Sequence, residues 1–196
     1  MSGTVNIALY GWVLVVLLLF SLIPARRAVI AAFLGGWLFL PEATISLAGL
    51  PDISKVSVTS IAVLAGIGFF DAERYVKFKP SVIDIPMVVW CLIPIASSLE
   101  NELGIYDGFS FAFSNTLLWG APYFVGRLYF DSLEALRELA VGIAIAGLVY
   151  MPFCIFEMKM SPQLHRMVYG YHPSTFAMTH RWGGFRPTAF MTHGLM

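Results

Sequence analysis

Residues 7–23 read IALYGWVLVVLLLFSLI, seventeen consecutive positions with no acid and no base. The charge-free stretch extends on both sides, from Met1 to Ala25. A membrane-spanning helix needs about 20 mostly apolar residues, so this segment alone is long enough to cross a bilayer. Arg26 and Arg27 follow it at once, and no basic residue precedes it. A cleaved signal peptide has the reverse order, charge before the apolar core. The order found here predicts a retained span with its N-terminus outside and Arg26–Arg27 inside.

The same search carried outward finds five more stretches. Ala28 to Pro51 holds one charge, Glu42. Val56–Phe70, Ile85–Leu99 and the aromatic-rich Gly108–Gly126 hold none. Leu139–Phe156 is also charge-free and is expected to end in a turn at Met151-Pro152-Phe153. A further span is expected to begin near Pro187. The predicted fold is all-α, a polytopic transmembrane bundle of about six spans plus the start of a seventh. Residues 1–156 form the bundle, 157–186 an extracytoplasmic basic loop, and 187–196 the start of a truncated further span.

Composition agrees. Hydrophobic residues make up 58% of the chain and charged residues 12%, against about 45–50% and about 25% in soluble domains. That leaves too little polar surface to cover a soluble particle. It excludes a soluble enzyme, a nucleic-acid-binding domain and a disordered tail. Cys91 and Cys154 sit inside apolar runs with no CxxC pairing and read as small buried hydrophobes.

Alternation of the spans puts Arg74, Lys77, Lys79, Arg127 and Arg137 on the inner side with Arg26 and Arg27. The acidic loop Glu100–Asp107 falls outside. Up to Arg137, seven bases then lie inside and only Lys55 outside, as the positive-inside rule requires. The segment after Glu157 falls outside.

That segment has a chemistry of its own. From Met158 to Met196 there is no acid, yet Lys159, Arg166, Arg181, Arg186 and all four histidines of the chain lie there. Cations without local carboxylates suit an external anion, and guanidinium forks match phosphate geometry. An ordinary basic membrane-flanking loop is the other reading. Gly183–Gly184 allows close backbone approach to a ligand, and Pro187 fixes the chain direction after Arg186, which favours the anion site. The histidines are seven, eight and thirteen residues apart with no acidic or Cys co-ligand after Glu157, so no metal site is expected. Neither a GxSxG elbow nor a Walker loop occurs.

The run Gly184-Phe185-Arg186-Pro187-Thr188-Ala189-Phe190-Met191-Thr192-His193-Gly194 resembles a signature of the O-antigen ligase/polymerase superfamily, polytopic proteins of the bacterial inner membrane. Pro122-Tyr123-Phe124-Val125-Gly126-Arg127 is similar to the Gly-Arg end of a span in that group, and Phe156-Glu157 to the acid ending the next. The resemblance covers nearly the whole chain but about half of a typical member, so an N-terminal half is expected. It implies metal-free, cofactor-free glycosyl transfer from a polyprenyl-diphosphate-linked glycan to a sugar hydroxyl, with membrane lipid as surroundings and no nucleic acid. Arg186 is the first candidate to stabilise the diphosphate leaving group, followed by Arg181 and Arg127, with Gly184 allowing close approach. Glu157 is a candidate base or arginine-orienting group. His193 and His172 are candidate proton acceptors, while the family's carboxyl-half catalytic histidine has no match here. An inner-face position for Arg127 conflicts with a site on the outer face. Two other classes stay open: a small transporter or channel for an anion or lipid, and a non-catalytic membrane scaffold. An internal repeat of broken helices would favour the transporter, and none is evident.

Overall fold

In a computed structural model of the chain, residues 3–45, 52–175, 179–181 and 183–192 are described. The described residues are mostly helical. Helix α1 spans Gly3–Leu22, α2 Ala25–Phe39, α3 Lys55–Phe70 and the short α4 Glu73–Lys77. A 3-10 turn at Val82–Asp84 leads into α5, Ile85–Glu100. Helix α6, Ile105–Asn115, passes through a π turn at Thr116–Gly120 into α7, Ala121–Tyr129. Helix α8 is the longest, Leu133–Met160, and α9 covers Leu164–Tyr169. Strands β1, His180–Arg181, and β2, Gly184–Phe185, form a minimal antiparallel hairpin.

Local chemistry sets the boundaries. The Ser54 hydroxyl accepts the Ser57 N–H at 3.2 Å to start α3, and Ser132 accepts that of Ala135 at 3.3 Å to start α8; each supplies an acceptor for an otherwise orphaned N–H. Glu134 lies in the first turn of α8 and Lys159 in the last, the arrangement the helix dipole favours. Gly170 ends α9 at φ 86°, a conformation that glycine adopts without strain. Pro122 lacks the N–H that would continue the ladder, and the helix widens to a π turn just before it. The Leu117 carbonyl in that turn takes a 2.7 Å hydrogen bond from the buried Ser60 hydroxyl of α3, so the break is stitched from outside.

The expectation of helical spans holds at coarse grain. Among the described residues three helical segments are long and apolar enough to cross a membrane: Gly3–Leu22, Val82–Glu100 and Leu133–Met160. Helices α2 and α3, at 15 and 16 residues, are shorter, and the stretch expected at Gly108–Gly126 is divided by the π turn. The expected Met-Pro-Phe turn is absent: α8 runs through Pro152 to Met160, four residues beyond the expected boundary. A proline inside an apolar helix forfeits one ladder bond, and in membrane helices that loss is tolerated. Residues 187–192 are turns and bends rather than the opening of a helix. Their apolar side chains pack onto the bundle, with Ala189, Phe190 and Met191 buried.

The core is made where α1, α2 and α3 meet. Gly66 of α3 lies so close to the Phe20 ring of α1 that a Cβ there would sit 2.6 Å from it. Gly36 of α2 is equally closed by Thr59. Small residues let helix backbones approach where no hydrophobic effect drives them together. By contrast α8 exposes Val141, Ile145, Leu148 and Val149, as expected of a surface solvated by lipid.

Polar groups gather at the two ends of the bundle. One end holds the α1–α2 turn, the segment from α3 to α5 and the α7–α8 turn. The other holds the described residues of the α2–α3 connection and of 157–192.

Candidate functional site

The acid-free segment is held to the end of α8 by Glu157, which is fully buried. Its carboxylate Oε1 accepts the Leu164 N–H at 3.0 Å. Oε2 accepts those of Thr188 at 2.8 Å and Ala189 at 2.6 Å. A carboxylate with three backbone donors is well matched to a buried place. The first of these donors opens α9 and the other two belong to the turn after Arg186. Two helical turns earlier on α8, the Tyr150 hydroxyl accepts the Phe190 N–H at 3.0 Å. Glu157 and Tyr150 thus fix the backbone of 188–190 and, through it, the position of Arg186.

A second polar group faces it from the α2–α3 connection. Lys55, with a side chain 5% exposed, reaches the Glu42 Oε1 at 2.6 Å and donates to the Trp37 carbonyl at 2.9 Å. Tyr169 donates to the Phe39 carbonyl at 2.6 Å and Tyr171 to the Glu42 carbonyl at 2.8 Å. His165, 2% exposed, sits between the two groups. Its Nε2 accepts the Glu42 N–H at 3.3 Å, and its Nδ1 lies 2.9 Å from the Tyr171 carbonyl. A carbonyl only accepts, so Nδ1 carries the proton and the ring is the neutral tautomer. Burial pushes the His165 value below the ordinary imidazole range, only partly opposed by the Tyr171 carbonyl. Burial likewise raises Tyr169, and burial with the Glu42 charge pushes Tyr171 up to about 12. Val5, Glu42, Thr44, Tyr169 and Tyr171 line a cavity of about 360 Å³ beside this cluster.

Arg186 is half-buried and follows β2, its N–H donating to the Thr179 carbonyl at 2.8 Å. Gly184 is exposed in β2, in register with Arg181. Among the described residues, no carboxylate pairs with Lys159, Arg166 or Arg186. The single acid beside them, Glu157, is taken up by backbone N–H groups. The described part of the segment therefore presents cations without a carboxylate partner.

Two expectations change. Arg127 does not join this group: its Nε lies 3.0 Å from Asp84 Oδ1, which also accepts the Tyr123 hydroxyl at 2.6 Å. Arg127 stands near the end of α7, and the 24 residues from Leu133 to Glu157 on α8 separate the two ends by roughly 36 Å at ~1.5 Å per residue. Glu157 is not positioned as a free base or as an arginine's partner, because its oxygens hold the chain. His193 lies outside the described residues. His172 is half-buried and engaged.

Sequence reasoning passed over His165, Lys55 and Glu42 as site residues. The pair Glu42 and Lys55 had a signal: an acid and a base flank the one connection between α2 and α3. His165 had none, since its partners are backbone groups at Glu42 and Tyr171. Among the described residues no three His, Cys, Asp or Glu side chains group as metal ligands. Comparison of the chain with protein-family models, with curated proteins and with solved structures finds no match in any of the three.

Proposed function

We propose that this chain is a membrane glycosyltransferase-type protein of surface polysaccharide assembly in the bacterial inner membrane, built on about six spans, with residues 157–186 on the extracytoplasmic side. The donor is a polyprenyl-diphosphate-linked glycan, transferred or polymerised onto a sugar hydroxyl. Arg186, with Arg181 beside it in sequence, binds the diphosphate, and Gly184 leaves room for it. Glu157 is a positioning residue in this reading, acting through the turn at 188–190.

One observation carries the proposal: a basic segment pinned to the bundle by its only acid, with no carboxylate pairing with Arg186 among the described residues. As the glycosidic bond breaks, the diphosphate gains charge. A preplaced guanidinium in a water-poor site stabilises that charge by several kcal/mol. Three further points support a membrane setting: the three long apolar helices, the exposed apolar faces, and the seven bases gathered at the opposite end.

The test is Arg186→Ala in the full-length protein, read as glycan polymer length and yield beside a membrane-insertion assay. Loss of polymer with normal insertion is expected. Unchanged polymer would end the proposal. The orientation is tested by Ser174→Cys with an impermeant thiol reagent, and protection from the external reagent would overturn it.

A further inference from the structure

Along the outside of the bundle, α2 and α8 bound a groove of about 690 Å³. The helices touch where Gly142 meets Ile30; a Cβ on Gly142 would lie 2.5 Å from Ile30 Cγ2. From that contact the walls continue as Leu34 and Leu38 on one side and Ile145 and Val149 on the other. All the charge lies at one mouth: Arg27, Glu134, Arg137 and Glu138. Glu138 is already engaged, by Arg26 at 3.4 Å and Arg27 at 3.7 Å. Glu134 and Arg137 are exposed, one turn apart, and among the described residues neither joins an ion pair.

This polarity gradient describes an amphiphile. The mouth offers one cation and one anion without partners, and the rest offers only hydrocarbon. From Glu134 to Val149 the groove follows α8 for about 22 Å, at ~1.5 Å per residue, which is the reach of an extended fatty-acyl chain. We propose that the groove binds one zwitterionic phospholipid. One of its two acyl chains lies between α2 and α8. Its phosphate meets Arg137 and the exposed Arg27, and its primary ammonium donates to Glu134. A helix of a second copy would fill the apolar part but leave both mouth charges unmatched, whereas this head group satisfies both. The site lies at the end opposite Glu157 and is independent of the glycan reading. The bases around it, Arg26, Arg74 and Lys77, mark the cytoplasmic leaflet by the positive-inside rule.

The experiment uses the purified full-length chain, stripped of lipid in detergent and offered dioleoyl phosphatidylethanolamine or dioleoyl phosphatidylglycerol. Retained lipid is counted by native mass spectrometry. One phosphatidylethanolamine per chain is expected, held about tenfold more tightly than phosphatidylglycerol because only it completes both charge-assisted contacts. Glu134→Gln, at an exposed position, is expected to erase that preference. Ala146→Trp, which fills the groove, is expected to lower retention of both lipids while the chain stays monomeric or unchanged in assembly. Equal retention of the two lipids, or a preference that survives Glu134→Gln, overturns the proposal. So does dissociation of an oligomer by Ala146→Trp, which would give the groove to a second copy.

Discussion

The two ends of the bundle treat charge in opposite ways. At the end holding the α1–α2 and α7–α8 turns, cations meet carboxylates: Arg26 and Arg27 with Glu138, Arg74 with Asp71, Lys77 with Glu73, and Arg127 with Asp84. At the other end only Lys55 and Glu42 pair among the described residues. There Glu157 serves backbone N–H groups, and among the described residues no carboxylate pairs with Lys159, Arg166 or Arg186. At the first end much of the charge joins separate elements, Arg26 and Arg27 to Glu138 and Arg127 to Asp84. At the second end it is left available. Equal numbers of acids and bases in the chain, 12 of each, conceal this division.

The contrast breaks most visibly at Glu157. Glu157→Ala leaves three backbone N–H groups buried without an acceptor, an expected loss of roughly 2–5 kcal/mol in the docking of residues 161–192. Limited proteolysis should cut the segment, and hydrogen exchange should quicken at Thr188 and Ala189. Protection equal to the parent would mean that Glu157 does not hold it. Next in size is the pair of arginines. Arg127→Ala should lower thermal stability by unpairing Asp84 yet leave anion binding intact, while Arg186→Ala should weaken binding of a soluble diphosphate with little change in Tm. Identical profiles for the two variants would erase the distinction between the ends.

A smaller effect is expected from pH. Burial holds His165 below its ordinary value of 6.5, so the unfolded chain binds the proton more readily than the folded one. The contribution of His165 is complete above that value and declines as the pH falls through it toward the lower folded-state value. Protonation would also turn the Nε2 acceptor into a donor facing the Glu42 N–H. Exchange at that amide should therefore rise in acid, and His165→Gln should flatten the response. The smallest effect is expected at the exposed Lys77–Glu73 pair on α4, where Lys77→Ala should leave Tm within error.

The long apolar helices were legible because charge is so sparse: α1 and α5 nearly coincide with charge-free runs, and α8 is built around one, Leu139–Phe156. Their joints were less legible. Pro152 reads as a turn, yet α8 absorbs it, since a single lost ladder bond in an apolar setting does not outweigh the two further turns of helix to Met160. The π turn before Pro122 depends on Ser60 arriving from another helix, which no local pattern announces. At the site, Glu157 stood out by position, but its partners are peptide groups up to 32 residues later, and peptide groups carry no sequence signature. Arg127 and Asp84 were a recoverable pair, as span alternation alone puts both at the same face.

The Glu157 clasp also sets an order of events during synthesis. Ribosomes deliver α8 before residues 188 and 189 exist. Until those two N–H groups emerge, the carboxylate at the end of α8 has only one of its three backbone donors within reach, that of Leu164. The arrival of Thr188 and Ala189 completes the clasp, so the turn after Arg186 takes its final shape only after the whole of α8 has been made.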